Sequence, residues 1–257
     1  MSYTITLLTF FLSAFAFCAT AEPKFEGGQF GISGFTLHEY FFDDFSETYL
    51  VNDLFDEIEA NIDVVYSFGN FGLQAGAHIG TVKWRSPSAT PTTHYGTSLH
   101  GYYLTPNGHK FGAVYQFLDL GTSAPDGYNT NLVGLEALVG FGRVEMEASI
   151  STYKTFHSQS NFLATVHFYY PISPQIEISA GYTYREFGEL FPANQFSLGV
   201  EYSPVNSRFD FNIDYFAERF EGLDYELLQI GIRYRFDEGN TGRLFSDRTT
   251  GYGRFSI

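Results

Sequence analysis

The chain has 257 residues, with 29 acidic side chains against 14 basic ones and a formal net charge of −15. That balance argues against a nucleic-acid partner, because phosphate binding needs clustered Lys and Arg. Mean hydropathy is close to zero, and no stretch after the N-terminus is long and apolar enough for a transmembrane helix. A membrane barrel escapes that measure, because its lipid-facing and interior-facing residues cancel.

Residues 1–21 read MSYTITLLTFFLSAFAFCATA. The short apolar run ends in Ala19-Thr20-Ala21, a small-x-small pattern that predicts signal-peptide cleavage before Glu22. The n-region has no Lys or Arg, and a membrane anchor is the alternative reading. Bulky Phe17 before Cys18 argues against lipoprotein processing. Cleavage after Ala21 removes the only cysteine, so disulfides and cysteine metal sites are not expected. No cofactor is expected either.

From residue 29 onward the dominant signal is alternation. In EIEANIDVVYSF (57–68) Glu57, Glu59, Asn61 and Asp63 take every second place, with Ile58, Ala60, Ile62 and Val64 between them. A period of two is a strand with unlike faces. The same reading gives strands over 29–41, 57–68, 71–85, 94–104, 110–120, 131–141, 144–154, 161–170, 175–187, 194–203, 208–219 and 224–236, each near the length a tilted membrane strand needs. Alternate connections are compact: Gly69-Asn70, TPNGH, Gly142-Arg143, PISP and PVNS, all rich in turn formers. The intervening connections, 42–56, 86–93, 121–130, 155–160, 188–193 and the brief 220–223, read mostly as longer loops. The register closes well at Gly69-Asn70, which pairs Phe68 with Phe71 and then Asn61 with His78. A slip of one residue would mix the faces. Phe30 and Ile32 fall on one face and Phe35 and Leu37 on the other, which predicts a bulge between them.

The chain carries 19 tyrosines and 29 phenylalanines but one tryptophan, and the aromatics are sorted by depth. Phe68, Phe71, Tyr103, Phe111, Phe141, Phe168, Tyr170, Tyr202, Phe209, Tyr234 and Phe236 gather on the apolar face at the short-turn end. A looser set at the other end includes Tyr95, Tyr115, Phe117, Tyr184 and Tyr215. Two belts around an aliphatic band are what a bilayer selects. A soluble sandwich core has no reason for them. The expected fold is all-β: a transmembrane antiparallel up-and-down β-barrel of about 12 strands over residues 22–236. A tail, 237–257, follows.

With these features the chain resembles the Gram-negative outer-membrane β-barrels of the porin-like kind. LLQIGIRYRF (227–236) is similar to the terminal strand that such proteins present to the barrel-assembly machinery, although this chain runs on past Phe236. Phe255 is a rival for that role. The resemblance implies residence in the outer membrane, contact with lipid and lipopolysaccharide, and termini on the periplasmic side. It implies a channel for passive diffusion of small hydrophilic solutes, and it leaves the oligomeric state open.

The candidate pore-lining residues are Glu57, Glu59, Asp63, His78, His100, Glu136, Glu145, Glu147, Arg185, Glu201, Asp214, Arg233 and Arg235, all on the polar face. Acids dominate the earlier strands and arginines the later ones. A transverse field across a water-filled, cation-preferring pore is one consequence. Lateral pairing that seals a closed structural or surface-interaction barrel is the other, because bare charges in a dry interior are too costly. Inward glycines such as Gly72, Gly76, Gly80 and Gly96 leave room for water or merely permit curvature. His78 and His100 are placed to face each other across adjacent strands, but ordinary polar lining is the preferred account and no metal is expected. A lipid-modifying enzyme would need a rim Ser and His, for which FHSQSN offers His157, Ser158 and Ser160 beside Asn161. Residues so near in sequence rarely form a triad, so no catalytic residue is assigned. Glu145 and Glu147 follow strand alternation rather than a glycosidase geometry. The tail is expected to occlude the pore by docking Arg248 or Arg254 on inward carboxylates, to hang as a disordered end, or to add a strand between Phe245 and Phe255.

Overall fold

The computed structural model describes residues 22–43, 48–84, 91–119, 121, 129–155, 161–187, 191–220, 223–236 and 243–245. Every regular element among them is a strand: β1 (Lys24–Asp43), β2 (Thr48–Phe68), β3 (Phe71–Trp84), β4 (Thr92–Leu104), β5 (Lys110–Asp119), β6 (Asn129–Phe141), β7 (Val144–Thr155), β8 (Asn161–Pro171), β9 (Ile176–Phe187), β10 (Phe191–Tyr202), β11 (Phe209–Phe220) and β12 (Leu223–Arg235). Each pairs antiparallel with its sequence neighbours, and β1 closes the sheet on β12. Closure leaves no unpaired edge, so the backbone hydrogen-bonding groups of the wall are satisfied within it, as a bilayer demands.

The face assignment follows from what each side would meet. Ile58, Ile79, Leu135, Ile150, Leu198, Ile213 and Ile230 point outward and are the exposed aliphatics of the wall. Glu57, Glu59, Gln74, His100, Gln116, Glu147 and Arg185 are buried inside it. An inside-out arrangement of this kind is stable only when the outer solvent is apolar. Aromatic rings frame the aliphatic band at both rims. Phe71 meets Tyr103 edge-on at 5.4 Å and Phe209 meets Tyr234 at 5.1 Å at the short-turn end. Tyr95 meets Phe117 and Phe162 meets Tyr184 at the other, both at 6.3 Å.

The short turns work as their composition suggests. Gly69 and Gly142 open the two-residue turns with φ of 64° and 65°, the positive φ that a first-position glycine supplies to a hairpin turn.

Two expectations are corrected. The register of β1 on β2 runs unbroken from Gly27 to Leu37, and its irregularities lie between Phe25 and Gly27 and between Leu37 and His38. No bulge separates Ile32 from Phe35. Phe35 and Leu37 simply point inward, where they pack with Leu227 and are flanked by Val82 and Phe216. The connection placed at 42–56 is mostly strand, because β1 and β2 continue as a hairpin to Asp43 and Thr48. The sequence of that stretch does not alternate: Phe41 and Phe42 are adjacent, as are Leu50 and Val51, so no strand pattern shows. The connection after β11 is brief as expected, with β12 starting at Leu223, and that after β9 is short too, with β10 starting at Phe191.

Candidate functional site

Strand pleating sends every second side chain into the barrel, and cross-strand partners share a face. Glu57, Glu59, Asp63, His78, His100, Glu136, Glu147 and Arg185 are buried on the interior face. Glu145, Glu201, Asp214 and Arg233 are half-buried there, and Arg235 is exposed at the short-turn mouth. Register agrees, since Glu201 lies opposite Glu177, Asp214 opposite Gly199, Arg233 opposite Asp210 and Arg235 opposite Gln29.

The inward glycines do not simply leave open space. A Cβ at Gly72 would overlap the Tyr102 ring, one at Gly80 the His94 ring, one at Gly96 the His78 ring and one at Gly181 the His167 ring. Each glycine receives a large side chain from the neighbouring strand, which lies flat along the wall. The glycines therefore set how closely polar rings hug the barrel.

Charges on the late strands pair within the wall. Arg185 on β9 pairs with Glu218 on β11, and Gln195 between them donates to the same carboxylate at 3.1 Å. Arg233 on β12 pairs with Glu201 on β10, and Arg235 with Asp210 at 3.1 Å. These lateral pairs are the arrangement weighed against a transverse field, and on this wall they hold. In a low-dielectric setting a buried ion needs its partner at contact distance.

The early strands have a different chemistry. His78 does not face His100, because His78 lies opposite Gly96 and His100 opposite Gln74. The ring beside His78 belongs to His94, at 5.9 Å between centroids. His94 Nε2 lies 2.7 Å from Glu57 Oε1. His100 Nδ1 sits 3.0 Å from both Glu136 oxygens. His94 occupies the polar phase of TTHYGTSLH, two residues before Gly96, so alternation places it inside. Its neighbour could not be named without the β3–β4 register.

The segment Arg243–Phe245 lies inside the short-turn mouth. Phe245 is 2% exposed. It stacks on His100 at 5.7 Å with rings 1° from parallel, and meets Tyr102 edge-on at 5.5 Å. Its backbone N–H donates to Gln74 Oε1 at 2.9 Å, and Gln74 Nε2 donates to its carbonyl at 2.8 Å. Arg243 pairs with Glu145 at 3.0 Å and with Glu177, and its guanidinium lies 3.5 Å from the Tyr169 ring centroid. Lys110 Nζ donates to the Arg243 carbonyl at 2.7 Å. Contacts thus run from β3 to β9. Docking is made by Arg243, whereas Arg248 and Arg254 lie outside the described residues. His157, Ser158 and Ser160 also lie outside them, and Asn161 opens β8.

Apolar patches line the half nearer the long connections: Phe35, Leu37 and Leu227 on one side, and Val114, Leu132, Tyr153 and Leu163 on the other. Alternation cannot reveal such inward apolar residues where they follow an outward one of the same character.

No family model matches the chain, and no curated protein sequence matches it. Solved structures do. An outer membrane channel from Pseudomonas putida F1 aligns at a TM-score of 0.56 with 10% identity, over 82% of this chain and 96% of that one. The translocator domain of autotransporter NalP from Neisseria meningitidis aligns at 0.52 with 11% identity, over 91% and 97%. The KdgM porin aligns at 0.50 with 11% identity, over 80% and 99%. In fold, the chain is a closed twelve-stranded antiparallel barrel, similar to the barrels of those outer-membrane proteins.

Proposed function

We propose that this chain is an outer-membrane channel for small hydrophilic solutes that prefers cations and is narrowed by its own C-terminal segment. The observation that carries the reading is the interior face, where carboxylates outnumber cations even after Arg185, Arg233, Arg235 and Arg243 are counted. Fixed negative charge along a narrow path raises the local cation concentration. The likeness in fold to outer membrane channels supports a conducting barrel. The segment enters at the short-turn end, which this reading assigns to the periplasm, together with both termini. The aliphatic band contacts lipid and lipopolysaccharide, and β12 is the strand offered to the barrel-assembly machinery.

The test is conductance in planar bilayers for the full chain, for Arg243→Ala/Phe245→Ala, and for a truncation after Phe236. The full chain should conduct with a reversal potential on the cation side. Both altered forms should insert normally and show larger or less frequently interrupted conductance. Anion preference, or no conductance from any of the three, rejects the reading. Equal conductance from all three rejects the narrowing.

A second reading rests on the two apolar patches. Their position near the long connections suits an entry for apolar or aromatic solutes. The CymD monoaromatic hydrocarbon channel, matched at a TM-score of 0.50 with 11% identity, shares the fold. Uptake of toluene by cells carrying the barrel, lost in Leu132→Asp and Leu227→Asp, would favour it over sugar diffusion.

A further inference from the structure

Two residues that alternation places on the polar face of β2, Glu57 and Glu59, stand beside two histidines from β3 and β4. Glu59, His78 and His94 are all buried, and one ligand atom from each lies within 4.8 Å of the others. We propose that these three side chains bind one divalent transition-metal ion of the zinc class on the inner wall of the barrel. Two imidazole nitrogens and one carboxylate form a common zinc donor set, with ligand distances of about 2.0–2.2 Å.

Three features beyond proximity point to a metal. The first is the tautomer of His94. Glu57 Oε1 sits 2.7 Å from its Nε2, so a proton there is held by the carboxylate. The Nδ1 atom is buried without a hydrogen-bond partner among the described residues. A carboxylate on one imidazole nitrogen that leaves a lone pair on the other is the usual outer shell of a metal-bound histidine. Leaving a buried nitrogen unsatisfied would otherwise cost free energy.

The second is the pair of glycines. Gly96 lies opposite His78 and Gly80 opposite His94 in the β3–β4 register. A Cβ at either position would overlap the ring it faces. Glycine at both places lets the two imidazoles lie flat and bring their rings to 5.9 Å. The third is that the ligands come from three consecutive strands. An ion there would tie β2, β3 and β4 together from the inside, where no arginine pair stands among the described residues.

The site is distinct from the segment-docking contacts around His100 and Gln74, and it stands whether or not the barrel conducts. Its test is cobalt(II) and zinc(II) titration of the purified, folded full-length barrel, with folding checked by heat-modified gel mobility. The expected result is one equivalent of zinc per chain, and a cobalt absorption band in the visible region that zinc abolishes. His78→Ala and His94→Ala should each abolish binding, and Glu59→Gln should weaken it severely. Glu57→Gln, which replaces the orienting carboxylate by a neutral amide, should weaken it by about 10- to 100-fold. Gly80→Ala keeps every ligand but puts a Cβ where the His94 ring lies, and should also weaken it. His109→Ala, in the β4–β5 turn, should bind as the parent does. A folded barrel that takes up no zinc overturns the proposal, and so does binding that survives in His78→Ala/His94→Ala.

Discussion

The two sides of the barrel satisfy buried charge in opposite ways. On β9 to β12 each interior arginine meets a carboxylate on a nearby strand of the same wall, as Arg185 meets Glu218, Arg233 meets Glu201 and Arg235 meets Asp210. From β2 to β7 the wall supplies acids with few cations of its own. There Glu57 and Glu136 meet histidines, and Glu145 meets Arg243 from beyond the last strand. The lesson is that an acidic excess on one side of a pore need not create a bare field. It can create a binding site, for a tail, for a metal, or for passing cations.

The largest expected effect breaks the late wall. Arg185→Ala strips the cation from Glu218, which is 3% exposed. Removing one member of a buried pair costs about 3–5 kcal/mol. Urea unfolding in detergent or vesicles should show that loss, and Arg185→Ala/Glu218→Leu should recover much of it. An Arg185→Ala barrel as stable as the parent would mean that the late wall is wet rather than paired.

The second effect is shared by both walls, because the outer face is aliphatic on β2 and β12 alike. Ile62→Lys on β2 and Ile230→Lys on β12 each place a charge on the aliphatic band, where the cost is about 2–4 kcal/mol. Both should lose heat-modifiable folded protein from the membrane. Asn61→Lys and Gln229→Lys, one residue along and facing inward, should assemble. Equal assembly of all four would overturn the assignment of faces.

The third effect separates the walls again. Arg243→Ala removes the cation shared by Glu145 and Glu177 while leaving β1 to β12 intact. Insertion should be unchanged, and crosslinking between cysteines placed at positions 74 and 245 should fall sharply. Loss of folded barrel instead would assign residues 243–245 to assembly.

The strand order and the two faces were legible because the period of two is carried by many residues in each strand. What escaped has physical reasons. Phe35 and Leu37 looked like a change of phase because an inward apolar residue and a bulge leave the same trace in sequence. The extension of β1 and β2 to Asp43 and Thr48 was hidden because adjacent apolar residues such as Phe41-Phe42 and Leu50-Val51 break the period of two. His94 lay on the polar phase, but its contact with His78 depends on the β3–β4 register, which the connecting sequence does not specify. Arg243 and Phe245 were invisible as a docking pair because a single extended segment has no periodicity. Only the carboxylates that receive it hinted at a missing cation. The inward glycines were weighed as room for water or as curvature, whereas Gly72, Gly80, Gly96 and Gly181 are each half of a ring-on-glycine pair that only register reveals.

The smallest effect is the most informative about the pore itself. Arg235 pairs with Asp210 at the short-turn mouth, and its side chain is 47% exposed. Solvent screens such a pair, so Arg235→Ala should change stability by less than about 1 kcal/mol. The electrical consequence has a definite sign. In the parent the pair is nearly neutral. Without Arg235 the carboxylate of Asp210 keeps its hydrogen bond from Ser203 but loses this ion pair, and the path gains one net negative charge. Cation preference should therefore rise, even though the arginine was not bare to begin with. The shift should be clear in dilute salt, where screening acts over about 10 Å at 0.1 M, and should fade near 1 M, where it acts over about 3 Å. Asp210→Asn/Arg235→Ala should return the reversal potential to the parent value, because it removes both charges at once. Reversal potentials in a salt gradient that are identical for the parent, Arg235→Ala and the double variant would show that ions do not pass this mouth.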